Sequence, residues 1–241
     1  MKSQFEILHS EKWDTLIILD ACRYDCLKEL LPETKPCRSE GWNTITWLKN
    51  TWIGYYDLTY ISATPFVNRV GYQGFNAANH FSEIIEVWKD YWDEDLGTVH
   101  PKAVYEVARR VKGRKVIHFL QPHPPFIPRK ERTGSLALNR KEILFKKVMG
   151  AKAYTYNLPP EKVREYYMEN LKLVLEYALK LVEGYTIITA DHGEDFRVGH
   201  SIPISELRIV PIVFKKQKKN KLLLVADRSY RNCPSCVYPT F

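Results

Sequence analysis

A short apolar run near the start of the chain constrains the fold more than any other feature. Residues 15–19 read Thr-Leu-Ile-Ile-Leu and lie between Asp14 and Asp20. An uninterrupted apolar run of this length is typical of a strand that is buried on both faces of a parallel sheet. Further strands are predicted at residues 58–62, 115–120 and 185–189, and helices at residues 22–31, 101–111 and 160–183. Strands that alternate with helices predict a three-layer α/β/α sandwich around a mostly parallel sheet.

The last part of the chain predicts a closing hairpin, formed by residues 209–214 and 222–225. Five lysines crowd the turn between these two strands, which indicates a solvated hairpin tip or, as the alternative, a patch that binds anions or RNA. The formal net charge of the chain is +8, and these lysines account for much of it.

The length of 241 residues and the 45% of hydrophobic residues favour one medium-sized domain with a well-formed core. No stretch approaches the roughly 18 consecutive apolar residues that a membrane span needs, and no signal peptide is recognisable. We therefore expect no membrane span and a cytoplasmic location. The five cysteines cannot all be paired, and Cys233 and Cys236 could form a metal knuckle, a disulfide or two unlinked thiols.

Polar side chains gather where three of the predicted strands end. Asp20 follows the first strand, His123 follows the third, and Asp191 and His192 follow the last. In open parallel sheets, ligands bind beyond the carboxyl ends of the strands. Carboxylates and imidazoles brought together there would be costly to bury unless a cation lay among them, and this mixture suits zinc, manganese, iron or magnesium better than calcium alone. The sequence therefore predicts a divalent metal site.

Four short motifs in a fixed order carry a resemblance to a known family. They are Asp20-Ala-Cys-Arg23-Tyr-Asp25, His123-Pro-Pro125-Phe126, Asp191-His-Gly-Glu194 and Gly199-His200-Ser201. In this order they resemble the alkaline phosphatase superfamily, specifically its sulfatase-like branch, which also contains phosphoglycerol and phosphoethanolamine transferases. The resemblance implies an alkaline-phosphatase-like fold and a single sulfatase-like hydrolase domain over residues 1–241, with the C-terminal subdomain reduced or absent.

The resemblance also implies a nucleophile at the N-terminus of a helix between the first two motifs. Thr44 fits best, with Ser39 and Thr46 next, and the alternative for Thr44 is a simple helix N-cap. A helix N-terminus suits this role because its backbone N–H groups face an anionic ester, and a metal can lower the pKa of the threonine hydroxyl. The nearby Cys37 lacks the proline and arginine that follow the nucleophile of arylsulfatases, which argues against a standard arylsulfatase.

For the metal, the resemblance implies a divalent ion, Zn, Mn, Mg or Ca, held by Asp20, Asp191 and His192. His123 and His200 would contact the substrate, assist the leaving group or complete a second site, so that His200 is both a catalytic and a metal-binding candidate. One ion is favoured over two, because Gln121 stands where two-zinc phosphatases carry an aspartate. Arg23 is expected to brace the first motif through Asp25.

The leading hypothesis is a metal-dependent hydrolase that cleaves a phosphate or sulfate ester, with phosphate favoured, through Thr44. Its alternatives are a phosphoglycerol- or phosphoethanolamine-type transferase, a degenerate member that binds a phosphorylated ligand, and a nucleic-acid-binding protein. The expected partner is a small anionic ester; nucleic acid is not expected, and association into a homo-oligomer is left open. The nucleic-acid alternative depends on the positive charge and on the aromatic residues Trp42, Trp47, Trp52, Tyr55 and Tyr56.

Overall fold

A central seven-stranded sheet organises the computed structural model, which describes residues 1–129, 140, 156, 158–200 and 203–217. The strands are β1 (Thr15–Leu19), β2 (Lys35–Arg38), β3 (Tyr56–Ser62), β4 (Phe81–Glu86), β5 (Trp92–Asp93), β6 (Thr98–Val99), β7 (Lys115–Phe119), β8 (Tyr185–Thr189) and β9 (Ile209–Lys216). The helices are α1 (Gln4–Ser10), α2 (Tyr24–Leu30), α3 (Thr44–Thr51), α4 (Val87–Asp90), α5 (Pro101–Ala108) and α6 (Pro160–Ala178).

The strand order in the sheet is β2-β9-β8-β1-β7-β3-β4, and β5 and β6 form a separate antiparallel pair. All pairings among β8, β1, β7, β3 and β4 are parallel. Only β9 runs against its neighbours, β8 and β2. The sheet is therefore mostly parallel, as predicted, and the carboxyl ends of β8, β1 and β7 meet at one edge.

The predicted closing hairpin differs from the structure. β9 forms the first predicted strand of the hairpin, but it pairs on one side with β8 and on the other with β2, an edge strand that the sequence pattern did not reveal. The second predicted strand, residues 222–225, lies outside the described residues, as do most of the lysines of the predicted tip and both Cys233 and Cys236.

Helices flank the sheet, and the fold is the predicted α/β/α sandwich. α2 and α5 both contact α6. α1 and α3 are joined by a hydrogen bond in which Trp47 Nε1 donates to Gln4 Oε1 over 2.7 Å. α6 ends at Ala178 and is followed by a 3₁₀ turn, so the α-helix is shorter than the predicted 160–183. Within the described ranges, no helix combines the length and the apolar character needed to cross a membrane.

The core is built on the central strands. Every residue of β1 and of β7 is buried, as expected for strands that are covered on both faces. Trp47 and Trp52 are fully buried as well, while Tyr55 is exposed. Two of the aromatic residues considered for nucleic-acid binding are therefore core residues, and their rings are not accessible for stacking on a base.

Candidate active site

The predicted ligands Asp20, Asp191 and His192 converge at the carboxyl edge of the sheet, although they are up to 172 positions apart in the sequence. Asp20 directly follows β1, and Asp191 and His192 come just after β8, the neighbour of β1. All three side chains are buried. The parallel pairing of the two strands brings the early and late carboxylates together, as the sequence predicted from the strand ends.

The Asp191 carboxylate is oriented by the backbone around it. Its Oδ1 accepts hydrogen bonds from the backbone N–H of Ala21, over 3.1 Å, and of His192, over 2.9 Å. Its other oxygen, Oδ2, lies 3.4 Å from His192 Nε2. Because both backbone bonds hold Oδ1, Oδ2 is directed toward the side chains of the cluster.

His192 is oriented by the turn that follows it. Its Nδ1 lies 2.7 Å from the carbonyl oxygen of Gly193, which leaves Nε2 facing Asp20 Oδ1 at 3.5 Å. The N–H of Gly193 donates to the Leu207 carbonyl over 2.6 Å, and a Cβ on this glycine would lie 3.3 Å from the same oxygen. A larger residue would therefore be crowded at position 193, and the turn that aims His192 favours glycine.

Thr44 is the first residue of α3 and faces the same cluster. Its hydroxyl oxygen lies 3.4 Å from His192 Nε2. The alternative N-cap role belongs to Asn43 instead, whose side-chain oxygen accepts from the backbone N–H of Thr46 over 2.9 Å. The Thr44 hydroxyl is thus not needed to cap the helix, and it lies at the positive end of the helix.

The two other nucleophile candidates take part in local structure. The Thr46 hydroxyl accepts hydrogen bonds from the backbone N–H groups of Trp42 and Asn43, at 3.1 and 3.2 Å. The Ser39 hydroxyl donates to the backbone carbonyl of Asp191. Of the three hydroxyl groups, only that of Thr44 contacts the buried carboxylates and imidazoles.

His118 is a residue of the cluster that the sequence analysis missed. It lies within β7, is fully buried, and its Nε2 is 3.9 Å from Asp20 Oδ2 and 4.0 Å from Asp191 Oδ2. Suitable atoms of Asp20, His118 and Asp191 all lie within 4.8 Å of one another. A signal was present, because His118 is a polar residue in the otherwise apolar run 116–120.

The cluster fits a divalent cation. Asp20 Oδ1, Asp191 Oδ2 and His118 Nε2 are buried and have no hydrogen-bond partner in the described part of the chain, which is costly for polar atoms unless something else satisfies them. Four ligands about 2.1 Å from a tetrahedral ion are about 3.4 Å apart, close to the separations around His192. Two carboxylates and two imidazoles also form a donor set that such ions accept.

The pKa values of the two carboxyl groups also favour a bound cation. Burial, and then the negative charge of Asp191, raise the pKa of Asp20 well above its ordinary value. Burial alone would raise the pKa of Asp191 too, but its neighbours lower the pKa on balance, with contributions from His192 and His118 and then from hydrogen bonds with Thr44 and Ala21. Without a cation, Asp20 is therefore the carboxylate that tends to hold a proton, and a bound ion would remove the repulsion between the two acids.

A second group of ligand-type side chains adjoins the first and consists of His123, Glu194 and His200. His200 Nδ1 lies 3.3 Å from Glu194 Oε2, and the His200 ring is 5.0 Å from that of His123 and 4.5 Å from that of His192. The structure thus places His200 beside Glu194. Burial lowers the pKa of His123 to about 3 and that of His200 to about 4, so both rings are neutral at pH 7.

Asn170 on α6 positions the loop that carries His123. Its Nδ2 lies 3.2 Å from the backbone carbonyl oxygens of Pro122, His123 and Pro125. The backbone N–H of His123 also donates to the Asp20 carbonyl over 3.1 Å. These bonds attach the loop to the long helix and to the end of β1, and so place His123 beside the cluster.

Gln121 does not use its side-chain amide at the cluster. Its Nε2 donates to Thr98 Oγ1 over 3.2 Å and to the Val99 carbonyl over 3.1 Å, both on β6. The side chain therefore connects the end of β7 to the small β5–β6 sheet.

The expected Arg23–Asp25 pair is present. Arg23 Nε and Nη2 donate to the two oxygens of Asp25 over 2.9 and 2.8 Å. Arg23 Nη1 donates to the backbone carbonyl of Glu194 over 2.7 Å. The arginine thereby links the first motif to the late one.

Comparison with known proteins gives matches among solved structures only, since no protein-family model and no curated protein matches the chain. One match is the integral membrane protein lipooligosaccharide phosphoethanolamine transferase A (EptA) from Neisseria meningitidis. It is 14% identical, has a TM-score of 0.51, and is matched over 85% of this chain and 47% of EptA. The fold is alkaline-phosphatase-like. The chain therefore shares its fold with a phosphoethanolamine transferase, and this confirms the fold that the four-motif resemblance implied.

Two further solved structures match the chain with lower TM-scores. The C-terminal periplasmic domain of EcEptC from Escherichia coli, in complex with Zn, is 14% identical with a TM-score of 0.47 over 87% of this chain and 75% of that domain. An alkaline phosphatase superfamily protein from Vibrio parahaemolyticus is 12% identical with a TM-score of 0.44, over 86% of this chain and 61% of that one. At 47% coverage of EptA, the chain spans about half of that protein's length.

Proposed function

We propose that this chain is a metal-dependent enzyme that acts on phosphate esters through Thr44, and that it transfers the phosphoryl-containing group to an alcohol rather than to water. One observation carries the proposal. The Thr44 hydroxyl lies at the start of α3 and faces a buried cluster of carboxylates and imidazoles, 3.4 Å from His192 Nε2.

Different groups of the site would bind the metal ion, bind the ester and transfer protons. Asp20, Asp191 and His192 would hold the divalent ion, which would supply positive charge for a phosphate ester and lower the pKa of a neighbouring hydroxyl. The N-terminus of α3 presents backbone N–H groups to the non-bridging oxygens of the ester. His123 and His200 would exchange hydrogen bonds and protons with the ester oxygens.

The first step would be a displacement at phosphorus. A bond forms from Thr44 Oγ to phosphorus, the bond from phosphorus to the leaving alcohol breaks, and the threonine proton ends on that alcohol. In the second step an acceptor alcohol attacks the phosphothreonine, and Thr44 regains its proton. Water in place of the acceptor would make the same site a hydrolase.

One observation favours a transferase over the hydrolase of the leading hypothesis. EptA, with which this chain shares its fold, is named a phosphoethanolamine transferase. We extend that class of reaction to this chain as a proposal, with the identity of donor and acceptor left open. A cytoplasmic location, a homo-oligomer and the single-domain organisation stay predictions.

The nucleophile can be tested with a pair of isosteric variants on one helix. Thr44→Val removes the proposed nucleophile, and Thr51→Val removes a buried hydroxyl with no hydrogen bond in the described structure at the other end of α3. With an aryl phosphodiester and Zn²⁺, Mn²⁺ or Mg²⁺, we expect Thr44→Val to lower kcat/KM by about 10³-fold or more. Thr51→Val should retain the activity, and equal activity in both variants would refute the assignment.

Product analysis separates transferase from hydrolase. The wild-type protein is incubated with the diester and excess glycerol, and ³¹P NMR follows the products. With a diaryl phosphate as the diester, one aryl alcohol leaves in either case; a transferase then yields the glyceryl aryl diester as the main product, whereas a hydrolase yields the aryl phosphate monoester. Intact-mass measurement of quenched protein should show an aryl-phosphoryl adduct that is absent from Thr44→Val.

A further inference from the structure

His118 lies on β7, which pairs with a parallel strand on each side. Its backbone is in register with Ile18 of β1 on one side and Ser62 of β3 on the other. The side chain is fully buried. A group that is built on the centre of a sheet keeps its position more closely than a group on a loop, which suits a residue that must meet a ligand accurately.

The two ring nitrogens of His118 face different partners. Nδ1 lies 2.9 Å from the hydroxyl oxygen of Tyr60, which is fully buried on β3. Nε2 has no hydrogen-bond partner among the described residues and points between Asp20 and Asp191. One nitrogen is thus engaged by a neutral hydroxyl, and the other is left for the cluster.

An aromatic ring packs against the imidazole of His118. Trp47 packs edge-to-face with His118 at a centroid distance of 5.9 Å. The indole of Trp47 is in turn fixed by its hydrogen bond to Gln4, whose Nε2 donates to Thr189 Oγ1 at the end of β8 over 2.7 Å. This packing restricts rotation of the imidazole, so that Nε2 stays directed at the two carboxylates.

We propose that His118 is a further protein ligand of the divalent ion and that Tyr60 positions it by accepting a hydrogen bond from Nδ1–H. This bond selects the tautomer in which the Nε2 lone pair is free for a metal. The inference rests on the ion site of the proposed function. It adds a ligand from the central strand to Asp20, Asp191 and His192, and it gives Tyr60 a positioning role.

The opposite tautomer provides the competing arrangement. If the Tyr60 hydroxyl donated to Nδ1, Nε2 would carry the proton and would donate to Asp20 or Asp191 instead of binding metal. His118 would then only stabilise the acidic pair. The two arrangements differ in the protonation of a single nitrogen, which is directly measurable.

Metal affinity provides the first test. The wild-type protein and the variants His118→Gln, Tyr60→Phe and His80→Gln are stripped of metal, and Zn²⁺ affinity is measured by competition with a chromogenic chelator. His80 is the matched control, because its ring stacks on Phe75 away from the cluster. We expect a loss of 100-fold or more for His118→Gln, about 10- to 100-fold for Tyr60→Phe, and no change for His80→Gln.

A second measurement on the wild-type protein remains decisive if His118→Gln does not fold. Long-range ¹H–¹⁵N correlation spectra report the tautomer of each histidine before and after Zn²⁺ is added. We expect the Nδ1–H tautomer of His118 throughout, and a shift of its Nε2 resonance on binding. A proton on Nε2 in the Zn²⁺-bound protein would overturn the inference.

The outcomes separate the two proposals. If the wild-type protein binds Zn²⁺ and His118→Gln binds it equally well, the ligand role of His118 is refuted and the proposed function stands. If the wild-type protein binds none of Zn²⁺, Mn²⁺ or Mg²⁺, both the ion site and the role of His118 are refuted.

Discussion

At the scale of single residues, Asp191 shows how one side chain can serve structure and site together. One oxygen accepts backbone hydrogen bonds from Ala21, just after β1, and from His192, just after β8, and the other oxygen faces His192 and His118. Its backbone carbonyl accepts a bond from Ser39 as well. A substitution at this residue would therefore disturb the local fold and the cluster at once, so other residues make cleaner tests.

Gln121 offers such a test because its amide bonds to β6 rather than to the cluster. In Gln121→Glu, a carboxylate oxygen would face the Val99 carbonyl oxygen, and both donated hydrogen bonds would be lost. We expect the free energy of unfolding, measured in urea, to fall by about 2–3 kcal/mol, with Zn²⁺ affinity unchanged. The exposed Gln73→Glu should change stability by less than about 0.5 kcal/mol. Tighter Zn²⁺ binding by Gln121→Glu would show instead that position 121 reaches the metal.

At the scale of elements, α6 acts as a support for the loop after β7. Asn170 is fully buried on this helix, and besides the three loop carbonyls it contacts Ile127, whose N–H donates to Asn170 Oδ1 over 3.2 Å. Arg129, just beyond, pairs with Glu169 and Glu165 on the exposed face of the helix. The position of His123 thus depends on a helix that is distant from it in the sequence.

Replacement of Asn170 should loosen that loop. Asn170→Ala leaves the loop carbonyls and the Ile127 N–H without this partner, so we expect the free energy of unfolding to fall by about 2–4 kcal/mol. Activity on a phosphodiester should fall as well, because His123 is no longer held. The exposed Lys172→Ala on the same helix serves as the control and should leave both unchanged. Full activity in a destabilised Asn170→Ala protein would contradict a role of this contact in placing His123.

At the scale of the whole molecule, the cluster collects residues from distant parts of the chain. Two of its residues follow strands, Asp20 after β1 and Asp191 after β8, while His118 lies within β7 and Thr44 begins α3. They meet only when the sheet is assembled. Two buried carboxylates at the centre of the molecule oppose folding unless a cation is bound. Ion binding and global stability should therefore be coupled.

Asp20→Asn tests this coupling. The folded pKa of Asp20 is raised, so its cost to stability is absent below the unfolded pKa near 4 and grows as pH rises toward the folded pKa. In EDTA, we expect Asp20→Asn to be more stable than the wild-type protein by about 1–3 kcal/mol at pH 7 and by little at pH 3. At 100 times the dissociation constant of the wild-type protein, Zn²⁺ should add about 2.7 kcal/mol to the wild-type stability and much less to the variant. Thermal and urea unfolding with and without Zn²⁺ decide the outcome, and equal stabilisation of both proteins would argue against Asp20 as a ligand.

The alternation of strands and helices, and the position of the site at the strand ends, follow from local patterns in the sequence. Buried parallel strands leave a strong local signal in continuous apolar runs, and the strand-end rule then brought Asp20 and Asp191 together before any coordinates were known. Four motifs in order were sufficient to indicate the superfamily fold. These inferences succeeded because they depend on local patterns and on a general property of parallel sheets.

Three features depend instead on the assembled fold: the pairing of β2 with β9, the grouping of His200 with Glu194, and the presence of His118 in the cluster. Each depends on which side chains face one another across strands that are far apart in the sequence, and periodicity does not contain that information. A histidine within an apolar strand reads locally as a buried core residue. Its second partner, Tyr60, and its two acidic neighbours become visible only when β3, β7, β1 and β8 are assembled side by side.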